Sequence, residues 1–227
     1  MASEPHQNQP AKKQTVATDQ EEEQQDLDFI SRLPDEILHT ILSELEIRDA
    51  AVTTAVSKRW APLFPTLPSL KIDDSSFFNP RDTEPDPFDE PHNIIKLVDS
   101  LISVLNSRKT AFKKFDIEVD MHGLDADDLD PLLDVVCVAG VEELSIYNTG
   151  YQTSSPVFFC NTIVKLEIGS CRLVVPSKLT GLRAVKSLVL SSVAVADDDL
   201  QRMISWCKAM EKLSIIYCHK VKNMLDH

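Results

Sequence analysis

A short apolar motif recurs along the second half of the chain. Two large apolar residues flank a single residue at Phe115-Asp116-Ile117, Leu144-Ser145-Ile146, Leu166-Glu167-Ile168, Leu188-Val189-Leu190 and Leu213-Ser214-Ile215. Because side chains alternate between the two faces of a strand, both apolar residues of each motif point to one side. One strand cannot bury such a face, whereas stacked neighbours can. The motif therefore predicts a repeat array whose units share one apolar interior.

The segments between these strands have the periodicity of helices. Apolar residues recur every three or four positions in three stretches, at Ile94, Val98, Leu101 and Leu105, at Leu129, Leu132, Leu133 and Val136, and at Leu200, Met203, Ile204 and Cys207. Successive motifs begin 29, 22, 22 and 25 residues apart, within the range of leucine-rich repeats. We therefore predict an α/β fold for residues 94–227, a curved solenoid with a parallel sheet.

Residues 28–70 have the pattern of a small helical unit. Pro34 suits the first turn of a helix, and Asp35 and Glu36 complement the positive end of its dipole. Apolar residues continue at helical spacing, at Ile37, Leu38, Ile41, Leu42 and Leu45. A second helix is predicted from near Asp49 to Trp60, and the prolines at 62, 65 and 68 limit the remainder of the unit to short turns.

A helical unit of this size buries too small a fraction of its surface to be more than marginally stable on its own. The pattern leaves two outcomes open. Either the helices dock on the rest of the chain, or they leave an exposed apolar patch of the kind that marks a protein interface.

Two acidic segments adjoin this unit. Residues 1–28 and residues 71–93 each carry seven acidic and two basic residues, which accounts for most of the net charge of −13. Residues 1–27 are almost free of large apolar side chains and are predicted to be a disordered tail. Residues 71–93 hold four prolines and are predicted to be an extended linker. A net acidic chain lacks the basic face that nucleic-acid binding requires.

The chain lacks the residues that are characteristic of several classes of function. The five glycines are never closer than ten residues, so no glycine-rich phosphate loop is present. The six histidines have no metal-ligand spacing, and we expect no metal, no cofactor and no enzyme activity. The longest uncharged stretch, residues 144–164, is too polar for a lipid-facing helix, so no membrane contact is expected. Five cysteines without a CxxC pair and no apolar signal segment indicate an intracellular protein of the nucleus, the cytoplasm or both.

Four features suggest chemistry but have simpler explanations. The acidic residues from Asp125 to Asp130 resemble a calcium loop but miss its later ligands, so they are interpreted as a helix cap. His39 is expected on the polar side of the first helix, in solvent. The adjacent Cys218 and His219 have no third group to orient them as a nucleophile and base. For Trp206 we favour repeat packing over contact with a ligand.

The N-terminal unit resembles the F-box of plant F-box proteins. The resemblance rests on Leu33-Pro34-Asp35-Glu36-Ile37-Leu38, Ile41-Leu42-Ser43, Asp49-Ala50 and Val56-Ser57-Lys58-Arg59-Trp60, in the order of the family. Phe64 stands where plant relatives commonly carry a tryptophan. The resemblance implies a three-helix unit that docks on a Skp-type adaptor. The adaptor-binding residues that it implies are Leu33, Pro34, Ile37, Ile41, Leu45, Val56 and Trp60.

The repeats are similar to those of the plant F-box/leucine-rich-repeat (RNI-like) family. The matching segments include Val141-Glu142-Glu143-Leu144, Val164-Lys165-Leu166, Cys171-Arg172-Leu173, Met210-Glu211-Lys212-Leu213 and residues 199–207. Such proteins usually carry further C-terminal repeats, so the chain is expected to be a short member with an incomplete solenoid. We expect its last strand, near Leu213, to lack a covering repeat.

The resemblance implies a function without catalysis. A protein of this family would be a substrate adaptor of a Skp–cullin–F-box ubiquitin ligase, joined to the cullin–RING ligase through the Skp-type adaptor. Its repeats would hold a protein target, whose identity and binding residues remain unassigned. The alternative is a truncated interaction protein that binds the adaptor, recruits no target and competes with longer relatives.

Overall fold

A computed structural model describes residues 29–45, 47–73, 76, 90–106, 113–119, 126–148, 151–153 and 155–220. The tail predicted for residues 1–27 lies outside these ranges, as does most of the linker predicted for residues 71–93. The described chain forms an N-terminal helical unit, residues 29–68, followed by a parallel sheet with helices on one side.

The helical unit contains two α-helices, α1 (Asp35–Ser43) and α2 (Ile47–Val56), with short 3-10 turns at Ile30–Arg32 and Phe64–Thr66. Helix α1 begins at the predicted place because Pro34 is extended while its carbonyl accepts hydrogen bonds from the N–H groups of Ile37 and Leu38. Helix α2 ends four residues earlier than predicted. The Ser57 hydroxyl accepts a hydrogen bond from the Arg59 N–H at 3.2 Å, and such local bonds compete with helix propagation.

The main sheet contains six parallel strands. They are β1 (Ser69–Asp73), β2 (Lys114–Val119), β3 (Glu143–Asn148), β5 (Lys165–Gly169), β7 (Ser187–Ser191) and β9 (Lys212–Ile216), and they lie side by side in this order. The five predicted motifs lie on five of these strands in matching register, so that Phe115, Leu144, Leu166, Leu188 and Leu213 form one row. The α/β fold with a parallel sheet is confirmed.

Strand β1 was not predicted, and it crosses the expected boundary between the helical unit and the linker at residue 70. Leu70 and Ile72 flank Lys71 in the same motif as the other strands, and they pair with Phe115 and Ile117. The motif was missed because it lies 45 residues before Phe115, far outside the spacing of the repeats. Residues 71–73 therefore belong to the sheet.

The helices pack against one face of the sheet. Helix α3 (Glu90–Asn106) contacts α4 (Ala126–Val138), which contacts the short α5 (Ser155–Phe159), and α6 (Asp197–Trp206) precedes β9. Their apolar residues at helical spacing lie where the sequence predicted helices. Leu132, Leu133 and Val136 are fully buried and belong to the same apolar core as the sheet residues Phe115 and Ile146. None of the described helices is long and apolar enough to cross a bilayer.

A second parallel sheet follows the main one and was not predicted. It consists of two-residue strands, β4 (Gln152–Thr153), β6 (Arg172–Leu173), β8 (Ala194–Val195) and β10 (His219–Lys220), in the order β10-β8-β6-β4. Ser170, Ser192 and Tyr217 occupy equivalent positions between the two sheets and have left-handed φ angles of 50°, 56° and 52°. A bend that non-glycine residues rarely adopt thus recurs in three repeats.

Candidate functional site

Helix α1 carries two parallel apolar rows. Leu38 and Leu42 form the inner row and are 0% and 1% exposed. Ile37, four residues before the half-buried Ile41 and eight before Leu45, belongs to the outer row. Ile37 is 47% exposed and Leu45, just beyond the helix end, is 37% exposed. The helical unit therefore buries one row of α1 in the apolar core that it shares with the sheet and presents the other row to solvent.

The segment that leads into α1 is also apolar and exposed. Phe29 is 66% exposed and Ile30 is 55% exposed, and the Arg32 guanidinium lies 5.8 Å from the centre of the Phe29 ring. Pro34 is exposed, and Leu33 is half-buried against the core. Large apolar side chains left in solvent close together in the chain are typical of a protein interface.

Trp60 supports this segment from inside. Its ring is 8% exposed, and its Nε1–H donates a hydrogen bond to the Ser31 Oγ at 2.9 Å. The neighbouring Arg59 forms an ion pair with Asp35 at the start of α1. Trp60 thus holds the segment before α1 in place and does not itself face solvent. For Val56, the last residue of α2, the structure describes the backbone but not the side chain.

His39 differs from its prediction as a histidine in solvent. The ring is half-buried, and Nε2 lies 2.9 Å from the Thr66 Oγ1. This bond joins α1 to the 3-10 turn at Phe64–Thr66. The sequence pattern placed the histidine on the polar side of α1 but gave no sign that this side faces the turn.

A second candidate surface is the outer face of the main sheet, opposite the helices. Between the buried positions, each strand presents its alternate residues outward, and these form rows across the sheet. Charged residues occupy the rows on β1, β2, β3 and β5. Lysines pair with carboxylates on the same strand, Lys114 with Asp116 at 2.6 Å and Lys165 with Glu167 at 2.9 Å. Lys71 lies 3.2 Å from both Asp73 and Glu118.

Tyr147 is the aromatic residue in the middle of this charged face. Its ring lies against Gly169 of the neighbouring strand, where a Cβ atom would overlap the ring carbons Cδ1 and Cε1. Partial burial raises the pKa of the Tyr147 phenol, and the nearby carboxylates of Glu167 and Glu118 raise it further. The hydroxyl therefore stays protonated at neutral pH. The glycine is what allows the ring to lie across the strand.

Comparisons with known proteins match both halves of this architecture. A family model described as F-box-like matches residues 30–65. A second model, described as the LRR domain of At1g61320/AtMIF1, matches residues 104–225, more than half of the chain. The chain belongs to the plant F-box/leucine-rich-repeat family. The outer row of α1 and the predicted adaptor-binding residues lie within its F-box region, and the main sheet lies almost wholly within its repeat domain.

Individual relatives come from Arabidopsis thaliana. The putative F-box/LRR-repeat protein At3g58880 is 32% identical over 198 residues, covering 85% of this chain and 43% of the relative. The F-box protein At3g59000 is 32% identical over 200 residues, covering 84% of this chain and 40% of the relative. The chain thus spans less than half the length of these relatives. No solved structure matches it.

The structure assigns packing roles to two of the side chains that suggested chemistry. The Trp206 Nε1–H donates to the Gly181 carbonyl at 2.8 Å, and the Arg183 guanidinium lies 5.2 Å from the centre of its ring. The Tyr151 hydroxyl donates to Asp130 at 3.1 Å. Asp125 lies outside the described residues. Within the described ranges, no group of three or more metal-ligating side chains is close enough to hold an ion.

Cys218 and His219 are not arranged for nucleophilic chemistry. The Cys218 Sγ lies 3.6 Å from the carbonyl oxygens of both Leu190 and Ile216, and His219 is exposed on β10. Sequence reasoning missed Tyr147 and Gly169 because their contact depends on the register between β3 and β5. The visible signal was the outward position that each holds beside a buried motif.

Proposed function

We propose that the chain is a substrate-recognition adaptor of a Skp–cullin–F-box ubiquitin ligase. The F-box region binds a Skp-type adaptor, and the repeat domain binds a protein target. The observation that carries the proposal is the outer apolar row of α1. Its inner row, Leu38 and Leu42, already fills the core, so Ile37 and Leu45 are not needed for folding the unit onto the sheet.

The same residues suit a binding interface in energy as well as position. Apolar anchors in the centre of a protein interface can contribute about 2 kcal/mol or more each when they become fully desolvated. Helix α1 is held at its start by the Pro34 carbonyl and along its side by the His39–Thr66 bond. An already ordered helix loses little conformational entropy on binding, which favours affinity.

The proposed role requires no chemistry from this chain. A target held on the repeat domain is kept at high effective concentration beside a ubiquitin-conjugating enzyme, which the cullin–RING ligase supplies. The five cysteines are free thiols, in keeping with a reducing compartment such as the nucleus or cytoplasm. The seven adaptor-binding residues remain predictions, with Trp60 and Leu33 assigned to support and Ile37, Leu45 and Pro34 to direct contact.

The test is co-purification with a plant Skp-type adaptor. We expect the double substitution Ile37→Ala and Leu45→Ala to weaken adaptor binding by more than tenfold, since it removes two apolar anchors. Leu33→Ala with Pro34→Ala should also weaken it by more than tenfold, because it removes the contact at Pro34 and the support that Leu33 gives it. Val138→Ala is the matched control, because Val138 on α4 is 88% exposed and lies outside the F-box region. Far-UV circular dichroism checks that each variant is folded.

Undiminished adaptor binding by both folded double variants would contradict the assignment of this surface. Proteomics of the captured complex, with and without proteasome inhibition, then addresses the repeat domain. A target adaptor captures proteins that accumulate under inhibition. Capture of the Skp-type adaptor alone would instead support the competing interaction protein.

A further inference from the structure

Two of the five free cysteines lie side by side where two repeats meet. Cys137 is in the last turn of α4 and is half-buried, and Cys160 directly follows α5 and is 4% exposed. The Cys137 thiol donates a hydrogen bond to the Cys160 sulfur. The two side chains are therefore in direct contact, although a whole strand and a short helix separate them in the sequence.

Contacts on either side of this pair hold the two segments together. The Cys137 Sγ lies 3.8 Å from the carbonyl oxygen of Pro156, on α5. The Thr162 hydroxyl donates to the Val141 carbonyl at 2.7 Å, which joins the turn after Cys160 to the turn after α4. The thiols thus stay next to each other because the fold fixes the backbone around both of them.

The surroundings of the two sulfurs favour opposite protonation states. The hydrogen bond from Cys137 lowers the pKa of the Cys160 thiol against the effect of burial, and the backbone N–H groups of Thr162 and Ile163 lower it further. The same hydrogen bond raises the pKa of the Cys137 thiol, and burial raises it too. When one of the two ionises, Cys160 therefore holds the negative charge and Cys137 keeps its proton. A thiolate beside a second thiol is typical of redox-sensitive cysteines.

The pair lies close to the surface of the repeat domain. Val138, next to Cys137, is 88% exposed, and Phe159, next to Cys160, is 43% exposed. Asn161, on the other side of Cys160, is exposed as well. A small neutral oxidant therefore needs only a local opening of this turn to reach the sulfurs, and the sheet beneath stays intact.

We propose that Cys137 and Cys160 form a reversible disulfide in the presence of a hydroperoxide, and that this bond clamps α4 to the turn after α5. The Cys160 thiolate attacks one peroxide oxygen, the O–O bond breaks, and the leaving oxygen takes up the proton that Cys160 lost. The Cys137 sulfur then attacks the sulfenic acid on Cys160, the S–O bond breaks, and the hydroxyl leaves as water with the Cys137 proton. Two thiols are oxidised and one hydroperoxide is reduced.

The other three cysteines are less suited to this reaction. Cys171 and Cys218 directly precede β6 and β10, which have β8 between them. Two strand spacings amount to about 9.6 Å, and a disulfide joins Cα atoms that are at most about 7 Å apart. Burial raises the pKa of the Cys207 thiol, which keeps it protonated and unreactive. We therefore expect a single disulfide.

The test treats the reduced full chain with hydrogen peroxide, alkylates the remaining thiols with N-ethylmaleimide and maps disulfides by mass spectrometry. Two of the five thiols should escape alkylation as one Cys137–Cys160 disulfide within the chain, formed at least tenfold faster than any other pair. Dithiothreitol should restore both thiols. A different pairing, disulfides only between chains, or alkylation of all five cysteines would overturn the proposal.

Two variants separate the roles of the sulfurs. In Cys137→Ser the second thiol is missing, so oxidation of Cys160 should stop at the sulfenic acid, which dimedone labels. In Cys160→Ala the nucleophile is missing, so oxidation of Cys137 should be at least tenfold slower than that of Cys160 in Cys137→Ser. Cys218→Ser is the matched control, because Cys218 is half-buried like Cys137, and it should form the disulfide as the unchanged chain does. Equal oxidation rates in the first two variants would overturn the proposed order of attack.

The clamp should also appear in the stability of the chain. The disulfide closes a loop and so restricts the unfolded state, which should raise the urea midpoint of the oxidised chain above that of the reduced chain. Cys137→Ser should show the same midpoint before and after treatment. A lower midpoint after oxidation would overturn the clamp, since it would mean that the bond forms only by disrupting the packing of α4 and α5. Adaptor binding depends on α1 and is measured separately, so this inference and the proposed function fail independently.

Discussion

At the scale of single residues, two tryptophans play matching roles in different parts of the chain. The Trp60 Nε1–H donates to a hydroxyl, the Ser31 Oγ, in a half-buried position. The Trp206 Nε1–H donates to the backbone carbonyl of Gly181, a buried residue. The two acceptors differ in what they can do when the donor is removed. A hydroxyl near the surface can bond to water, whereas a buried carbonyl cannot.

Trp206→Phe should therefore lower the free energy of unfolding more than Trp60→Phe. Losing the bond to Ser31 costs about 1 kcal/mol, and leaving the buried Gly181 carbonyl without its donor costs about 1–3 kcal/mol. Trp60 is buried whereas Trp206 is half-buried, so the cavity left at Trp60 is the larger of the two, and a greater loss at Trp206 comes from its acceptor. Urea denaturation followed by far-UV circular dichroism measures both. The reverse ranking would mean that water reaches the Gly181 carbonyl.

At the scale of elements, the repeat motif predicted strands well and connections poorly. Five of the six main strands carry an apolar-x-apolar motif at repeat spacing, and their inward residues are determined by alternation alone. Strand β1 carries the motif without the spacing. The second sheet has strands of two residues, too short to show any periodicity. The charged rows of the outer face were not predictable either, because they depend on register between strands that are 22 to 29 residues apart in sequence.

Strand β9 is an edge of the main sheet, and its inward residues are less covered than those of β7. Leu213 and Ile215 are 40% and 46% exposed, whereas Leu188 and Leu190, their partners in register, are 0% exposed. We expect the backbone amides of β9 to exchange with solvent first among the main strands, since few buried contacts oppose local opening. Hydrogen exchange measures this. Protection of residues 213–217 equal to that of residues 166–168 in a monomer would contradict it.

At the scale of the whole molecule, β1 joins the F-box region to the repeat domain. Helix α2 contacts β1, and β1 pairs with β2 along its whole length. Leu38 and Leu42 of α1 belong to the same apolar core as Phe115 and Ile117 of β2. Of the two outcomes that the sequence left open, docking on the chain and an exposed apolar patch, both occur, one on each row of α1. The F-box region is therefore built on the first strand of the repeats.

Because one core spans both parts, they should unfold together. The chain has two tryptophans, Trp60 in the F-box region and Trp206 in the repeat domain, so Trp206→Phe and Trp60→Phe each leave one fluorescent reporter. In either background, Ile72→Ala should lower stability by about 2–5 kcal/mol, the usual cost of deleting a buried isoleucine side chain. Ile72 is 2% exposed and sits at the junction, so the loss should be equal for both reporters. A shift in the Trp60 transition without the same shift at Trp206 would show that the two parts are separate folding units.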